Sequence, residues 1–287
     1  MSIQIYYFSG TGNSLIVAKD IAERTGAELI PITSVRDRET VAVNADAVGV
    51  VFPVYYAYLP VIVREFAEKL TGLQNKYVFA VCTHGGAAMG SLRTLKSILR
   101  KNGVRLLAAY GVHMPQNAFL KPGEDREKAL AAWNRKLDMI VKNTSRRAKG
   151  FYYNNRLLEL LIIPFLPIVK SACRNSFVKQ TKLSADTPMD ELVRNLDRGF
   201  AVNDDCSGCG VCASVCPAQN IGMRDGRPQW LHRCENCLAC VNWCPSRAIQ
   251  GGIASGYFYR NPRVKASDIA RQSISVDKQA KESDCDA

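Results

Sequence analysis

Eight of the chain's 11 cysteines fall between Cys206 and Cys244, in two copies of one pattern. Cys206, Cys209, Cys212 and Cys216 are spaced C-x2-C-x2-C-x3-C, with Pro217 next; Cys234, Cys237, Cys240 and Cys244 repeat the spacing, with Pro245 next. Three thiols at intervals of three along one loop can grip three corners of an iron–sulfur cube. The fourth, before proline, is carried off toward the other centre, and in two-cluster arrangements it ligates the opposite cluster. The spacing therefore assigns Cys206, Cys209, Cys212 and Cys244 to one 4Fe-4S cluster, and Cys234, Cys237, Cys240 and Cys216 to a second. Zinc knuckles need neither a third cysteine three residues on nor a C-P step. Disulfides do not suit a compartment that keeps thiols reduced. Cys82, Cys173 and Cys285 stand outside any motif, and Cys82 reads as a buried residue closing a core strand.

A second constellation opens the chain. An apolar run is followed by Ser9-Gly10-Thr11-Gly12-Asn13-Ser14 and then a helical pattern. Two glycines free the backbone to wrap an anion, the side chains of Ser9, Thr11, Asn13 and Ser14 add neutral donors, and the helix offers its N-terminal N–H groups. The loop lacks the Gly-Lys-Ser/Thr of a Walker motif. Leu15 occupies the place of the third glycine in the dinucleotide fingerprint. Two later loops follow strands in the same way. Pro53, Tyr55, Tyr56 and Tyr58 can present an aromatic face, while Thr83, His84, Gly85, Gly86 and Gly90 bring backbone N–H groups close to a flat ligand.

These loops need a frame. Ile3–Phe8, Glu28–Ile32, Ala47–Phe52, Tyr77–Cys82 and Val104–Tyr110 read as strands, and Asn13–Arg24, Val61–Leu70 and Ser91–Lys101 as helices between them. Strands that read as unbroken apolar runs and alternate with helices predict a parallel sheet covered on both faces. Residues 121–199 change character after Pro122 and Gly123 and read as a helical connector, with a charged helix over Glu124–Lys149 and an apolar segment over Leu157–Val169. The stretch 200–251 is short and turn-rich, and 252–287 reads as a polar tail whose last 20 or so residues are expected to be mobile.

The cysteine stretch resembles the bacterial two-cluster ferredoxins at all eight ligand positions. The first loop resembles the flavodoxin phosphate loop. The whole chain is similar to the flavodoxin–ferredoxin fusion proteins of anaerobic microbes over residues 1–120 and 200–251. That resemblance implies an α/β flavodoxin-like, doubly wound, five-stranded parallel sheet with a flavin at its switch point, then a helical connector and a small α+β ferredoxin-like domain holding two 4Fe-4S clusters. With one phosphate loop and no adenine site in view, FMN is expected rather than FAD. The expected activity is electron transfer between flavin, clusters and a redox protein partner. The alternative is a flavin-dependent oxidoreductase acting on a small substrate, with His84, His113 and Asn117 as its candidate polar groups and the clusters as electron feed.

At 287 residues, 47% hydrophobic and 22% charged, the composition excludes a disordered or fibrous chain. The net charge of +12 is concentrated in residues 121–199, which carry 16 basic and 9 acidic side chains, densest at Arg146, Arg147 and Lys149. A solvated face is the first explanation of that excess, and nucleic acid is not the expected partner. The opening residues lack the pattern of a secretory signal. Leu157–Val169 is too short and too broken by Pro164 and Pro167 to span a membrane; burial against another domain is its first reading and contact with a membrane surface its second. Cytoplasmic localisation is expected.

Overall fold

The strand sequences that read as unbroken apolar runs do so because both faces are covered. In the computed structural model, which describes residues 1–86, 88–118, 126–152, 161, 163–252 and 258–274, the strands β1 (Ile3–Tyr7), β2 (Glu28–Pro31), β3 (Ala47–Pro53), β4 (Tyr77–His84), β5 (Ala108–His113) and β6 (Gly150–Tyr152) form one sheet in the order β2-β1-β3-β4-β5-β6. Every pairing in it is parallel. All eight residues of β4 are buried. The helices α1 (Asn13–Thr25), α2 (Val61–Lys69), α3 (Met89–Lys101) and α4 (Arg126–Ser145) alternate with the strands. Chain order reverses between β1 and β3, and the crevice beyond the carboxyl ends of those strands is where such sheets bind ligands.

The sheet has one strand more than the five read from the sequence. β6 is three residues long, too short to show a period, and lies on the far side of α4, whose Trp133, Leu137 and Ile140 are buried. β5 begins four residues later than its apolar run, because Val104 and Leu106 are buried in the approach loop. The connector continues with α5 (Leu166–Thr181) and α6 (Met189–Arg194), which share a small core of Phe177, Leu192 and Leu196. Pro122, Gly123, Leu157–Leu160, Tyr257 and Cys285 lie outside the described residues.

The cysteine-rich segment is framed by two short antiparallel pairs: β7 (Phe200–Val202) with β10 (Ile249–Gly251), and the hairpin β8 (Ile221–Arg224) with β9 (Arg227–Trp230). Asp225 and Gly226 both have positive φ, the conformation a tight two-residue hairpin requires. Two short helices, α7 (Val211–Ser214) and α8 (Ala239–Trp243), pack on each other. Val215, Cys237, Ala239 and Trp243 join the apolar core of the sheet, so the two parts share one interior.

Residues 258–274 also enter that interior. Tyr259, Asn261, Val264, Ile269 and Gln272 are buried, and α9 (Ala266–Ala270) and the turn after it pack near the phosphate-type loop. Part of the stretch expected to be mobile is thus ordered, held by polar contacts that leave no apolar period. Among the described residues no helix is long and apolar enough to cross a membrane.

Candidate functional site

A cavity of 330 Å³ opens at the carboxyl ends of β1, β3, β4 and β5. Its lining takes Ser9, Gly10, Thr11, Asn13 and Ser14 from the first loop, Pro53, Tyr55 and Tyr56 from the second, and Thr83, His84, Gly85 and Gly86 from the third. Three predicted residues stand apart. Gly12 holds the loop's turn at φ 100° beneath Val264 and Asn261. Tyr58 turns its hydroxyl to the Lys170 carbonyl at 3.1 Å. Gly90 lies in α3 against the Ala57 carbonyl. The sequence reading omitted Val54, Ala57, Met114–Gln116, Ala118, Asn236 and Leu238 as lining residues. Residues 114–118 follow β5 just as the other loops follow their strands, and that rule would have found them.

The first loop is braced from the far end of the chain. The Ser9 hydroxyl accepts the Gly12 N–H at 3.1 Å. The side-chain amide of Gln272 accepts the Ser9 N–H and donates to the Ser9 carbonyl, each at 3.1 Å. Asn261 accepts no share of solvent: it is fully buried, its N–H donates to the Thr11 carbonyl at 2.9 Å, and its amide donates to Asn13 Oδ1 at 3.0 Å. The Tyr259 hydroxyl donates to the same oxygen at 2.9 Å, and Asn13 Nδ2 donates to the Pro115 carbonyl at 3.0 Å. The Asn13 amide oxygen thus has both acceptor sites filled within the protein, and its nitrogen spends one N–H on Pro115. Arg263 grips Asp20 of α1 with two hydrogen bonds of 2.8 and 2.6 Å, and Trp133 donates to the same carboxylate at 2.7 Å.

The aromatic loop carries local strain. Tyr55 and Tyr58 bridge a two-residue turn in which Tyr56 and Ala57 have φ of 51° and 62°. L-residues disfavour this region by about 1–2 kcal/mol each. Tyr56 is held there by an edge-on contact with Phe177 at 4.8 Å and by the Asn236 amide donating to its hydroxyl at 2.6 Å. Ala57→Gly is expected to stabilise the protein by about 0.5–1 kcal/mol, since glycine removes the strain but returns some entropy to the unfolded chain. A rise of about 1–4 °C in thermal midpoint, at one scan rate, would show it.

His84 is buried against the cavity, and burial together with His113 lowers its pKa to about 4, leaving it neutral at pH 7. Neither of its ring nitrogens makes a well-formed hydrogen bond. A cavity of this size, with an aromatic wall, an N–H-rich loop at one end and a neutral imidazole beside it, fits a flat ligand with polar edges and a phosphate tail.

The eight motif cysteines converge as two sets. Cys216, Cys234, Cys237 and Cys240 line one small void, and Cys206, Cys209, Cys212 and Cys244 another. No disulfide forms among the described cysteines. No three His, Cys, Asp or Glu side chains among the described residues come close enough to hold a single ion. Four thiols that share a void without any three of them gathering around one point fit a multi-iron cluster better than zinc, whose four sulfurs each sit ~2.3 Å from one metal. The inner void also meets the buried indole N–H of Trp230, which faces the Cys240 thiol. Backbone N–H groups of Asn220 and Asn236 donate to the sulfurs of Cys216 and Cys234, both at 3.2 Å. Without iron, burial raises the thiol pKa of Cys212 to about 11 and of Cys237 to about 12. Buried thiols of this kind become thiolates when a metal displaces their protons.

The inner set sits directly against the first cavity. Leu238 lines both spaces. A Cβ on Gly10 would lie 2.9 Å from both Cβ and the carbonyl oxygen of Cys237. Trp243 donates to the Gly10 carbonyl at 3.1 Å, and Asn117 donates to the Cys237 carbonyl at 3.1 Å. Glu235, between two of the cysteines, accepts the Ile62 N–H at 3.0 Å and so caps the first turn of α2 from the other domain; burial raises its pKa to about 8. The outer set is nearer solvent, with Cys209 exposed and Cys206 and Cys244 half-buried.

Comparison with known families matches residues 4–146 to the flavodoxin domain and residues 205–251 to the 4Fe-4S dicluster domain. No curated protein matches the chain. Among solved structures, a flavoprotein from Bacteroides eggerthii is 21% identical, over 48% of this chain and 98% of its own, with a TM-score of 0.32. An FMN-dependent NADH-azoreductase from Bacillus anthracis is 12% identical, over 49% of this chain and 99% of its own, with a TM-score of 0.34. A flavodoxin from Streptococcus pneumonia is 17% identical, over 49% and 100%, with a TM-score of 0.33. The two family matches fall on the two halves built above, a flavodoxin-like parallel sheet and a small ferredoxin-like region. The chain is a flavodoxin–ferredoxin fusion, an iron–sulfur flavoprotein of electron transfer.

Proposed function

We propose that the chain is a cytoplasmic electron carrier that holds FMN in the 330 Å³ cavity and two 4Fe-4S clusters in the cysteine cages, and meets a redox protein partner at the outer cage. When bound, the flavin supplies the interchange between paired and single electrons, and each cluster carries one electron. The observation that carries the reading is the shared wall: Leu238 borders both the cavity and the inner cage, and Gly10 touches Cys237. Cys216, Cys234, Cys237 and Cys240 would hold the inner cluster, and Cys206, Cys209, Cys212 and Cys244 the outer one. The first-turn N–H groups of α1 and the Thr11 hydroxyl would bind the phosphate without a lysine or arginine. Tyr55 supplies the aromatic wall. Val215, Leu238 and Val241 are buried and keep water out of the partition. Exposure of Cys209 makes the outer cage the side where a partner can approach.

Anaerobic reconstitution followed by stepwise reductive titration is expected to take up about four electrons per chain, two by flavin and one by each cluster. An uptake of two or fewer would sink the reading. A second reading, oxidoreduction of a small substrate, draws on the neutral His84 at the cavity, whose ring nitrogens make no well-formed hydrogen bond. Asn117 is tied to Cys237 and, through its carbonyl, to Asn242, and His113 does not line the cavity. Turnover of an organic acceptor lost on His84→Ala, with flavin content unchanged, would favour that reading.

A further inference from the structure

The basic excess of residues 121–199 plays no part in the electron path, and the structure gives one piece of it a place. At the end of the sheet opposite the flavin cavity, a groove of 360 Å³ lies between the last turns of α3, the loop that enters β5 and the start of β6. Lys96, Arg100, Arg105 and Lys149 line it, and among the described residues no acidic side chain does. None of these four side chains makes a hydrogen bond or ion pair with a described residue, although Lys96 stands 4.8 Å from the ring centre of Phe151. Some exposed cations elsewhere find partners, as Arg24 does with Asp138 and Arg227 with Asp204; what sets these four apart is that they gather around one hollow. Of the Arg146, Arg147 and Lys149 knot, Lys149 faces the groove, while Arg147 turns to the Met1 sulfur at 3.4 Å.

Four like charges around one hollow repel each other, and an anion relieves that repulsion. Two guanidinium forks match pairs of phosphate oxygens, and the lysines add point charges. The floor is apolar: Val104 and Leu106 are buried, and Phe151 forms a wall. A concave site of this volume with a greasy floor suits a small ligand. A nucleic-acid backbone calls instead for cations spread along a track of phosphates. We propose that the groove binds a nucleoside polyphosphate, with its phosphate chain among Arg100, Arg105 and Lys149 and its base against Leu107 and Phe151. The groove shares no lining residue with the flavin cavity or the cysteine cages, so the site is independent of the electron-transfer reading.

The test is calorimetric titration of the full-length, anaerobically purified holoprotein with ATP, inorganic tripolyphosphate and adenosine. One ATP per chain is expected, bound more tightly than tripolyphosphate, with no heat from adenosine. Arg100→Gln and Arg105→Gln should each weaken ATP binding about tenfold or more, with iron and flavin content unchanged. Lys179→Gln, an exposed cation on α5, should change nothing. The proposal is overturned by absence of ATP binding, by binding that survives both arginine changes, or by an equal loss with Lys179→Gln. Tripolyphosphate bound as tightly as ATP, or duplex DNA or anionic vesicles bound more tightly, would overturn it as well.

Discussion

Gly10→Ala is expected to disturb both redox sites with a single methyl group. The new Cβ would meet Cβ and the carbonyl oxygen of Cys237 at 2.9 Å and the Tyr55 hydroxyl at 3.1 Å. None of these can swing aside cheaply. Cys237 is pinned by the Asn117 bond to its carbonyl, and half-buried Tyr55 is held against the core by an edge-on contact with Phe8 at 6.4 Å. Overpacking of this kind costs about 1–3 kcal/mol. At the upper half of that range, flavin affinity falls roughly 30- to 150-fold. Because the displaced residue is a proposed ligand of the inner cluster, the same change is expected to lower iron from about eight to about four atoms per chain. Iron, sulfide and flavin counts on one anaerobic sample would read both losses. Gly26→Ala is the control. Gly26 closes α1 at φ 65° with open space around its Cα, so alanine there should cost about 1 kcal/mol of stability and neither cofactor. Full flavin and iron in Gly10→Ala would show that the two sites are not in contact as described.

Gln272→Leu should have a comparable effect on flavin alone. The wild-type amide pairs with both backbone polar groups of Ser9, and Gln272 is completely buried. Leucine has similar bulk and leaves a buried N–H and a buried carbonyl without partners, at about 1–3 kcal/mol each. The phosphate loop would have to open to water to recover them, and FMN affinity should fall at least about 30-fold. Gln272→Glu keeps the acceptor for the Ser9 N–H and loses the donor, so it should fall between the two. The inner and outer cages do not involve this residue, and iron content is expected to stay whole. A flavin titration of the deflavinated protein monitored by fluorescence would separate these cases. Unchanged affinity in Gln272→Leu would mean that the C-terminal segment does not brace the loop.

The parts of this architecture that were legible in the sequence are those whose determinants lie close together along the chain. The eight thiols are readable because a cluster constrains spacing within one loop, and the proline after each fourth cysteine marks where the chain turns away. The first loop is readable because a strand, two glycines and a helix follow one another within a few residues. Its brace was not. Gln272 and Asn261 act on backbone atoms some 250 residues away, and a hydrogen bond to a backbone group demands nothing of the residue type at the other end. Glu235 could not be recognised as a cap for α2 for the same reason. Asn236 and Leu238 reach the flavin cavity only because two domains meet there. β6 went unread because its three residues alternate too briefly to carry a signal.

The pairing of Ser9 with Gln272 also sets an order of events during synthesis. The loop at Ser9 leaves the ribosome 263 residues ahead of Gln272, its brace. Until the segment bearing Gln272 has emerged and folded back, the nascent sheet has a cradle that cannot close. Iron can reach its complete set of thiols once Cys244 is exposed, earlier than the flavin can find a finished seat. Maturation should therefore proceed from metal to flavin, and a truncated transcript would yield a polypeptide coloured by iron but pale in flavin.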